Sequence, residues 1–274
     1  MTTKVASATT NGAIDFKPGL EGVLAAETRL SHVDGQKGEL IIGGFPLEEL
    51  AGDASFEEVV FLLWHNDLPT SQQVVTFQEQ VATQRALPAA VIDLLAAAAQ
   101  QSVPTMTALR MAAGALDLDS HPEEDDMAQA TRLLARLPTI VATYWRLHQG
   151  KIPIAPDATL SHAANYLYML SGERPSAAQV RGMETYLNTV VDHGLNASTF
   201  TARVIVATQS DIISSVIGAV GALKGPLHGG APGPALDMVF EVGTEENAEP
   251  VLRKIIERGD RLMGFGHRVY KVRD

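Results

Sequence analysis

Three histidines of this chain stand in glycine-rich settings. His193 lies in Val191-Asp192-His193-Gly194-Leu195-Asn196, His228 in Lys224-Gly225-Pro226-Leu227-His228-Gly229-Gly230, and His267 in Gly264-Phe265-Gly266-His267-Arg268. Glycine and proline at this density break helices, so 224–234 and 264–270 are predicted loops. Imidazole titrates near neutral pH, and glycine lets a ligand approach the main chain closely. The combination suits hydrogen bonding or proton transfer to a ligand held against backbone. Two other readings stay open: a three-histidine metal site, and histidines satisfied within their own turns. Against metal, no HExxH and no helical i, i+4 pair is present. The glycines match neither GxxxxGK[ST] nor a strand–GxGxxG–helix, which argues against a nucleotide fold. His32, His65, His121, His148 and His162 lack glycine-rich neighbours and read as structural. Trp64 and Trp145 fall in helical patterns and read as core.

The elements that must position these loops are helical. Phe56, Val59, Val60, Leu63 and Trp64 recur at helical spacing behind a Ser55 N-cap. Further helices are expected over 71–85, 88–101, 105–116 and 123–148, the last bent or broken near Pro138. Two more follow, over 159–171 ending at Gly172, and from Ser176 to the His193-Gly194 turn with Val180, Met183, Leu187 and Val190/Val191 on one face. The run 201–223 reads as one long helix, apolar on most sides. A last helix carries Leu252, Ile255 and Ile256 on one face and ends at Gly259. Glu27–Val33 and Glu39–Ile42, around Asp34-Gly35-Gln36-Lys37-Gly38, read as a small β-hairpin. The fold class expected is all-α with that hairpin.

Composition narrows the function. With 46% hydrophobic and 19% charged residues the chain is ordinary globular material, and the absence of cysteine excludes disulfides, thiolate catalysis and cysteine-ligated zinc. A net charge of −11 argues against nucleic-acid or anionic-membrane binding. From Val251 onward, however, seven Lys/Arg face three acids, which suggests a local anion site. Residues 1–13, rich in Ser, Thr and Ala without an apolar core, read as disordered rather than as a secretion signal. Glu123-Glu124-Asp125-Asp126 reads as an acidic helix start.

Taken together, LKGPLHGGAPGPALDM, GFGHRVYKVRD and DHGLNASTFTARV, with SHVDGQKGEL, FEEVVFLLWHNDLPT and ALRMAAGAL upstream in the same order, resemble citrate synthase. The resemblance runs from about Leu30 to the last residue. It implies a large helical domain over 14–223 and the first part of a small one over 224–274, with the active site in the cleft between them. It implies condensation of acetyl-CoA with oxaloacetate, then hydrolysis of the thioester. The partners implied are oxaloacetate, an acyl-CoA and a second copy of the chain in a cytoplasmic homodimer, with no cofactor, no metal, no nucleic acid and no membrane.

Residue by residue, the resemblance makes His228 the donor to the thioester oxygen, a neutral imidazole beside a helix N-terminus. It makes His267 the donor to the oxaloacetate carbonyl and His193 an oxaloacetate contact. Arg261, Leu262, Met263, Gly264, Phe265 and Gly266 match the loop that meets the CoA adenine, and Lys271 a CoA-phosphate cation. Ile41-Ile42-Gly43-Gly44 departs from the family's Tyr-Arg-Gly and loses an arginine. The family's aspartate base lies beyond Asp274, so the expectation for these 274 residues alone is an inactive N-terminal portion. The alternatives are 2-methylcitrate synthase acting on propionyl-CoA, and a non-catalytic helical dimerisation or acyl-CoA-binding module.

Overall fold

A computed structural model of the chain describes residues 23–119, 123–226, 228–229, 232–265 and 270–272, with Pro232 described in its backbone only. His267, Gly266, Arg268 and His121 lie outside the described residues, as does the stretch expected to be disordered. The described residues hold twelve α-helices and one three-stranded antiparallel sheet.

The sheet comprises β1 (Ser31–Asp34), β2 (Glu39–Ile42) and β3 (Phe45–Pro46), with Ser31 opposite Ile42, Asp34 opposite Glu39, and Ile42 opposite Phe45. The first strand starts at Ser31 rather than Glu27, and β3 adds to the expected hairpin. Asp34 shapes the first turn. Its Oδ1 accepts the Gln36 and Lys37 N–H groups at 3.0 and 3.1 Å. The Lys37 backbone bond is the main cause holding the Asp34 carboxyl below its ordinary range. The departure at Ile42-Gly43 has a local rationale. Ile42 is wholly buried against Val59 and Leu62, and Gly43 turns with φ +57°, where a Cβ would meet Leu62 at 2.8 Å.

The helices follow the expected order with sharper ends. They are α1 (Leu47–Asp53), α2 (Phe56–His65), α3 (Ser71–Thr83), α4 (Ala89–Gln100), α5 (Thr105–Gly114), α6 (Asp126–His148), α7 (His162–Ser171) and α8 (Ala177–Val190). Ser55, Thr70 and Ser176 each close a capping box with the Glu or Gln three residues on. α6 starts at Asp126 and runs through Pro138 without a break. The main apolar cluster joins α4, α5, α6 and the later α10 through Val91, Leu95, Ala112, Ile140, Tyr144 and Ile213. Trp145 is half-exposed instead of core.

Buried charged and polar side chains add contacts that periodicity does not show. Glu124 is an ion-pair partner of the buried Arg132 at 2.6 Å, beyond any contribution to the helix start. The fully buried residues of α8 are Glu184 and Asn188, while Val180, Met183 and Leu187 of the expected face are half-buried, Leu187 packing on the cluster of Phe56, Phe77 and Val81, and Val190 is exposed. Arg181 donates to the carbonyls of Ala51 and Ala54 at 2.6 and 3.1 Å, and Asn188 to that of Ala54 at 2.9 Å. Thus α8 caps the C-terminus of α1 with side chains that lie beside its apolar stripe.

The run 201–223 is not one helix. α9 (Ala197–Val206) and α10 (Ile212–Leu223) fold back on each other. Gln209 adopts a left-handed φ of 64°, and Asp211 N-caps α10 by accepting the Ser214 N–H at 2.6 Å. Gly218 lets the helices close, since a Cβ there would lie 2.3 Å from Ile205 Cδ1. The glycine–proline stretch after α10 is shorter than expected, because α11 (Pro232–Val242) begins within it; proline is tolerated in a first helical turn. α12 (Glu245–Glu257) ends as expected, with Gly259 at φ +79°. Only Ile255 of its expected apolar face is fully buried, and Ile256 is exposed.

Candidate active site

The N-terminus of α9 organises the site. Asn196 caps the helix, its Oδ1 accepting the Thr199 N–H at 2.9 Å and standing 2.7 Å from the Ser198 hydroxyl oxygen. The first-turn N–H of Ser198 stays available, and it donates to His228 Nε2 at 3.3 Å. The Ser198 hydroxyl oxygen lies 3.0 Å from the same nitrogen. A backbone N–H can only donate, so Nε2 carries the lone pair and Nδ1 carries the proton. His228 Nε2 thus faces the first turn of α9, beside the positive end of a helix dipole.

The loop carrying His228 is folded tightly. Its own N–H donates to Gly225 O at 3.0 Å, and the Gly229 N–H to Leu223 O at 3.0 Å. The main chain at His228 is thus pinned by two of the loop's own hydrogen bonds.

His193 occupies the turn between α8 and α9. Its exposed side chain lines a cavity of about 400 Å³ with Ser31, His32 and Tyr270. A neighbouring cavity of about 590 Å³ shares His193 and Tyr270 and extends to Lys37 and Leu47. Both volumes fall in the range of small-molecule sites. The Lys271 N–H donates to Gly35 O at 2.7 Å, docking this segment on the hairpin beside the cavity.

The segment 193–198 therefore links two of the three glycine-rich regions. At one end His193 shares a cavity with Tyr270, and at the other Ser198 holds His228. His267 and Gly266 lie outside the described residues. Arg261 is exposed, Leu262 and Met263 are half-buried, and Gly264 turns with φ +83° against Ala235. Phe265 is exposed and donates its N–H to Leu262 O at 3.3 Å. Lys271 is exposed.

Sequence reasoning passed over three residues. His32, read as structural, lines the cavity with His193. Ser198 and Asn196 were quoted only as part of a motif, although Asn-x-Ser-Thr before an apolar run is a legible N-cap signal. Tyr270 had no signal of its own. Of the other histidines, His65 stacks on Phe61 and His148 on Tyr144, while His162 is buried against Phe56. No group of three or more His, Asp or Glu residues placed to hold a metal ion occurs among the described residues.

A mostly helical fold, with one histidine at the N-terminus of α9 and another lining a ligand-sized cavity at the turn before that helix, sets out a small-molecule site rather than a nucleotide-binding fold. Residues 19–274 match the family model "Citrate synthase, C-terminal domain". A citrate synthase of Haloferax volcanii is 41% identical over 270 residues, covering 95% of this chain and 71% of that protein. A 2-methylcitrate synthase of Mycobacterium tuberculosis is 42% identical, covering 95% and 67%. The structure of a Thermoplasma acidophilum citrate synthase, in ternary complex with carboxymethyl coenzyme A and oxaloacetate, superposes with a TM-score of 0.83 at 31% identity over 95% of this chain and 70% of that one. This chain belongs to the citrate synthase family.

Proposed function

We propose that this protein condenses acetyl-CoA with oxaloacetate and hydrolyses the resulting thioester, giving citrate and CoA. The observation that carries the reading is the bond from the Ser198 N–H to His228 Nε2. A methyl group next to a thioester is weakly acidic, and its deprotonation needs a donor aimed at the oxygen that becomes negative. His228, with Nε2 engaged by the Ser198 N–H, is the donor this reading assigns to that oxygen through Nδ1. The oxaloacetate ketone needs a second donor, the role given to His267, while His193 in its cavity holds the dicarboxylate. The backbone of 261–266 and the Lys271 ammonium receive CoA. The methyl proton also needs a base, and none of the three histidines is assigned that role. The reaction requires no metal or prosthetic group.

Residues 14–223 are proposed as a large domain and 224–274 as the opening of a small one. The protein is proposed to work as a cytoplasmic homodimer. α9 has no fully buried residue and leaves Val204 and Val206 partly bare, as a helix covered by a second copy would. Among the described residues no helix is long and apolar enough to cross a membrane.

A second reading, 2-methylcitrate synthase, is favoured by the relative of that name at equal identity. One methylene of acyl chain changes binding by only about 1–3 kcal/mol in a pocket. The test is thiol release by the protein as its gene encodes it, with acetyl-CoA and propionyl-CoA in parallel. CoA release should depend on oxaloacetate, and the larger kcat/KM decides between the two acyl groups. Release that ignores oxaloacetate would refute both.

A further inference from the structure

His193 sits on a short turn with its side chain exposed, so the backbone beneath must aim it. One oxygen organises that backbone. Asp192 Oδ1 accepts the Gly194 N–H at 3.1 Å, an Asx turn that brackets His193, and Gly194 completes the turn with φ +95°. The same oxygen accepts the hydroxyl of Ser31, from the start of β1. β1 pairs with β2, whose Leu40 and Ile42 are buried in the cluster beneath α2. The turn that displays His193 is thereby tied to a packed core through two side chains. Ser31 and His193 also line the same cavity.

We propose that Asp192 is the positioning residue for His193, with Ser31 as its anchor. The proposal rests on His193 being an oxaloacetate contact. Neither residue is required to touch substrate. Asp192 sets where the turn carries the imidazole, and Ser31 sets where Asp192 stands. A displacement of about 1 Å in such a group can cost on the order of a hundredfold in rate.

A plain tether between hairpin and α8 would predict something else. Losing a tether lowers stability and moves all kinetic parameters together. Losing a positioning residue raises the KM for oxaloacetate and leaves that for acyl-CoA alone. Asparagine should also substitute, since its Oδ1 accepts both donors.

The test is steady-state kinetics and thermal melting on the protein as its gene encodes it, with Asp192→Ala, Asp192→Asn, Ser31→Ala and, as reference, His193→Ala. Asp192→Ala is expected to raise the oxaloacetate KM by about tenfold or more with the acyl-CoA KM within about twofold, Asp192→Asn to stay within about threefold of wild type, and Ser31→Ala to fall between. If His193→Ala leaves the oxaloacetate KM unchanged, the role of His193 fails and the proposal with it. If His193→Ala raises that KM while Asp192→Ala does not, or if Asp192→Asn is as poor as Asp192→Ala, the proposal alone is overturned. Should Asp192→Ala not fold, Ser31→Ala must show the selective rise by itself, and equal changes in both KM values there would overturn the proposal.

Discussion

The backbone N–H of Gly229 meets the carbonyl oxygen of Leu223 at 3.0 Å, and a Cβ on Gly229 would stand 2.5 Å from that same oxygen. No flexible side chain can yield there, because the obstacle is main chain. Gly229→Ala must push the loop off the end of α10 and carry His228 with it. The expected result is a stability loss of about 1–3 kcal/mol by denaturant titration, as for overpacking elsewhere. A larger proportional fall in kcat than in substrate affinity should accompany it. Wild-type kcat in this variant would show that the loop does not aim His228.

Removing the imidazoles tests the proposed roles directly. His228→Ala and His267→Ala should each lower kcat by roughly a hundred- to ten-thousand-fold, as loss of a proton-transfer or oxyanion donor does. Ser198→Ala should cost far less, since the backbone N–H that fixes the His228 tautomer remains. Rapid-quench or thiol-release kinetics distinguish these cases, and near-normal turnover in His228→Ala would remove it from the chemistry.

Stability should fall with pH between about 6.5 and 4 because of His162. Burial first, and the nearby Arg85 charge second, lower its pKa from 6.5 to about 4. The unfolded chain protonates this histidine below 6.5 while the folded chain resists until about 4, so stability is full above that window and lost through it. The difference corresponds to about 3 kcal/mol. Glu184 acts in the opposite sense, since burial and the Glu57 charge raise its pKa, and its contribution is lost as pH rises. Comparing wild type with His162→Asn in urea at several pH values isolates the histidine. The variant should have the flatter profile in this window.

Glu57 is buried, accepts the His162 N–H with Oε1 at 2.8 Å, and lies near the buried Arg85. Glu57→Ala should destabilise by about 3–5 kcal/mol, because it uncaps α7 and leaves a buried cation without its counter-charge. Glu57→Gln keeps the acceptor and should lose less. Equal losses would mean that the charge, not the cap, decides.

Asp211→Ala should cost about 0.5–2 kcal/mol, the worth of an N-cap. Gln209→Gly should be neutral or stabilising, because glycine accepts the left-handed φ of 64° without strain. A stabilising Asp211→Ala would argue that α9 and α10 prefer to join as one helix.

The sequence by itself determined the fold class, the order of most of the helices, several of their caps and the family, because these are written in local chemistry. Ser55 with Glu58, Ser176 with Gln179 and Gly172 at a helix end each act within a few residues. The histidine-bearing motifs were equally plain. Tertiary structure decided what depends on partners distant in the chain. α8 carries Arg181 and Asn188 beside its apolar face because they satisfy carbonyls at the end of α1, more than a hundred residues earlier, and no periodicity reveals that need. The run 201–223 breaks because Asp211 caps a helix that packs back on its neighbour, whereas hydropathy alone runs straight through. His228 acquires a defined tautomer only when α9 brings the Ser198 N–H to its Nε2, and His32 joins His193 only when the hairpin folds against the α8–α9 turn. Spacing along the chain identifies which groups can do chemistry, but hydrogen-bond geometry between separate elements determines which proton each one holds.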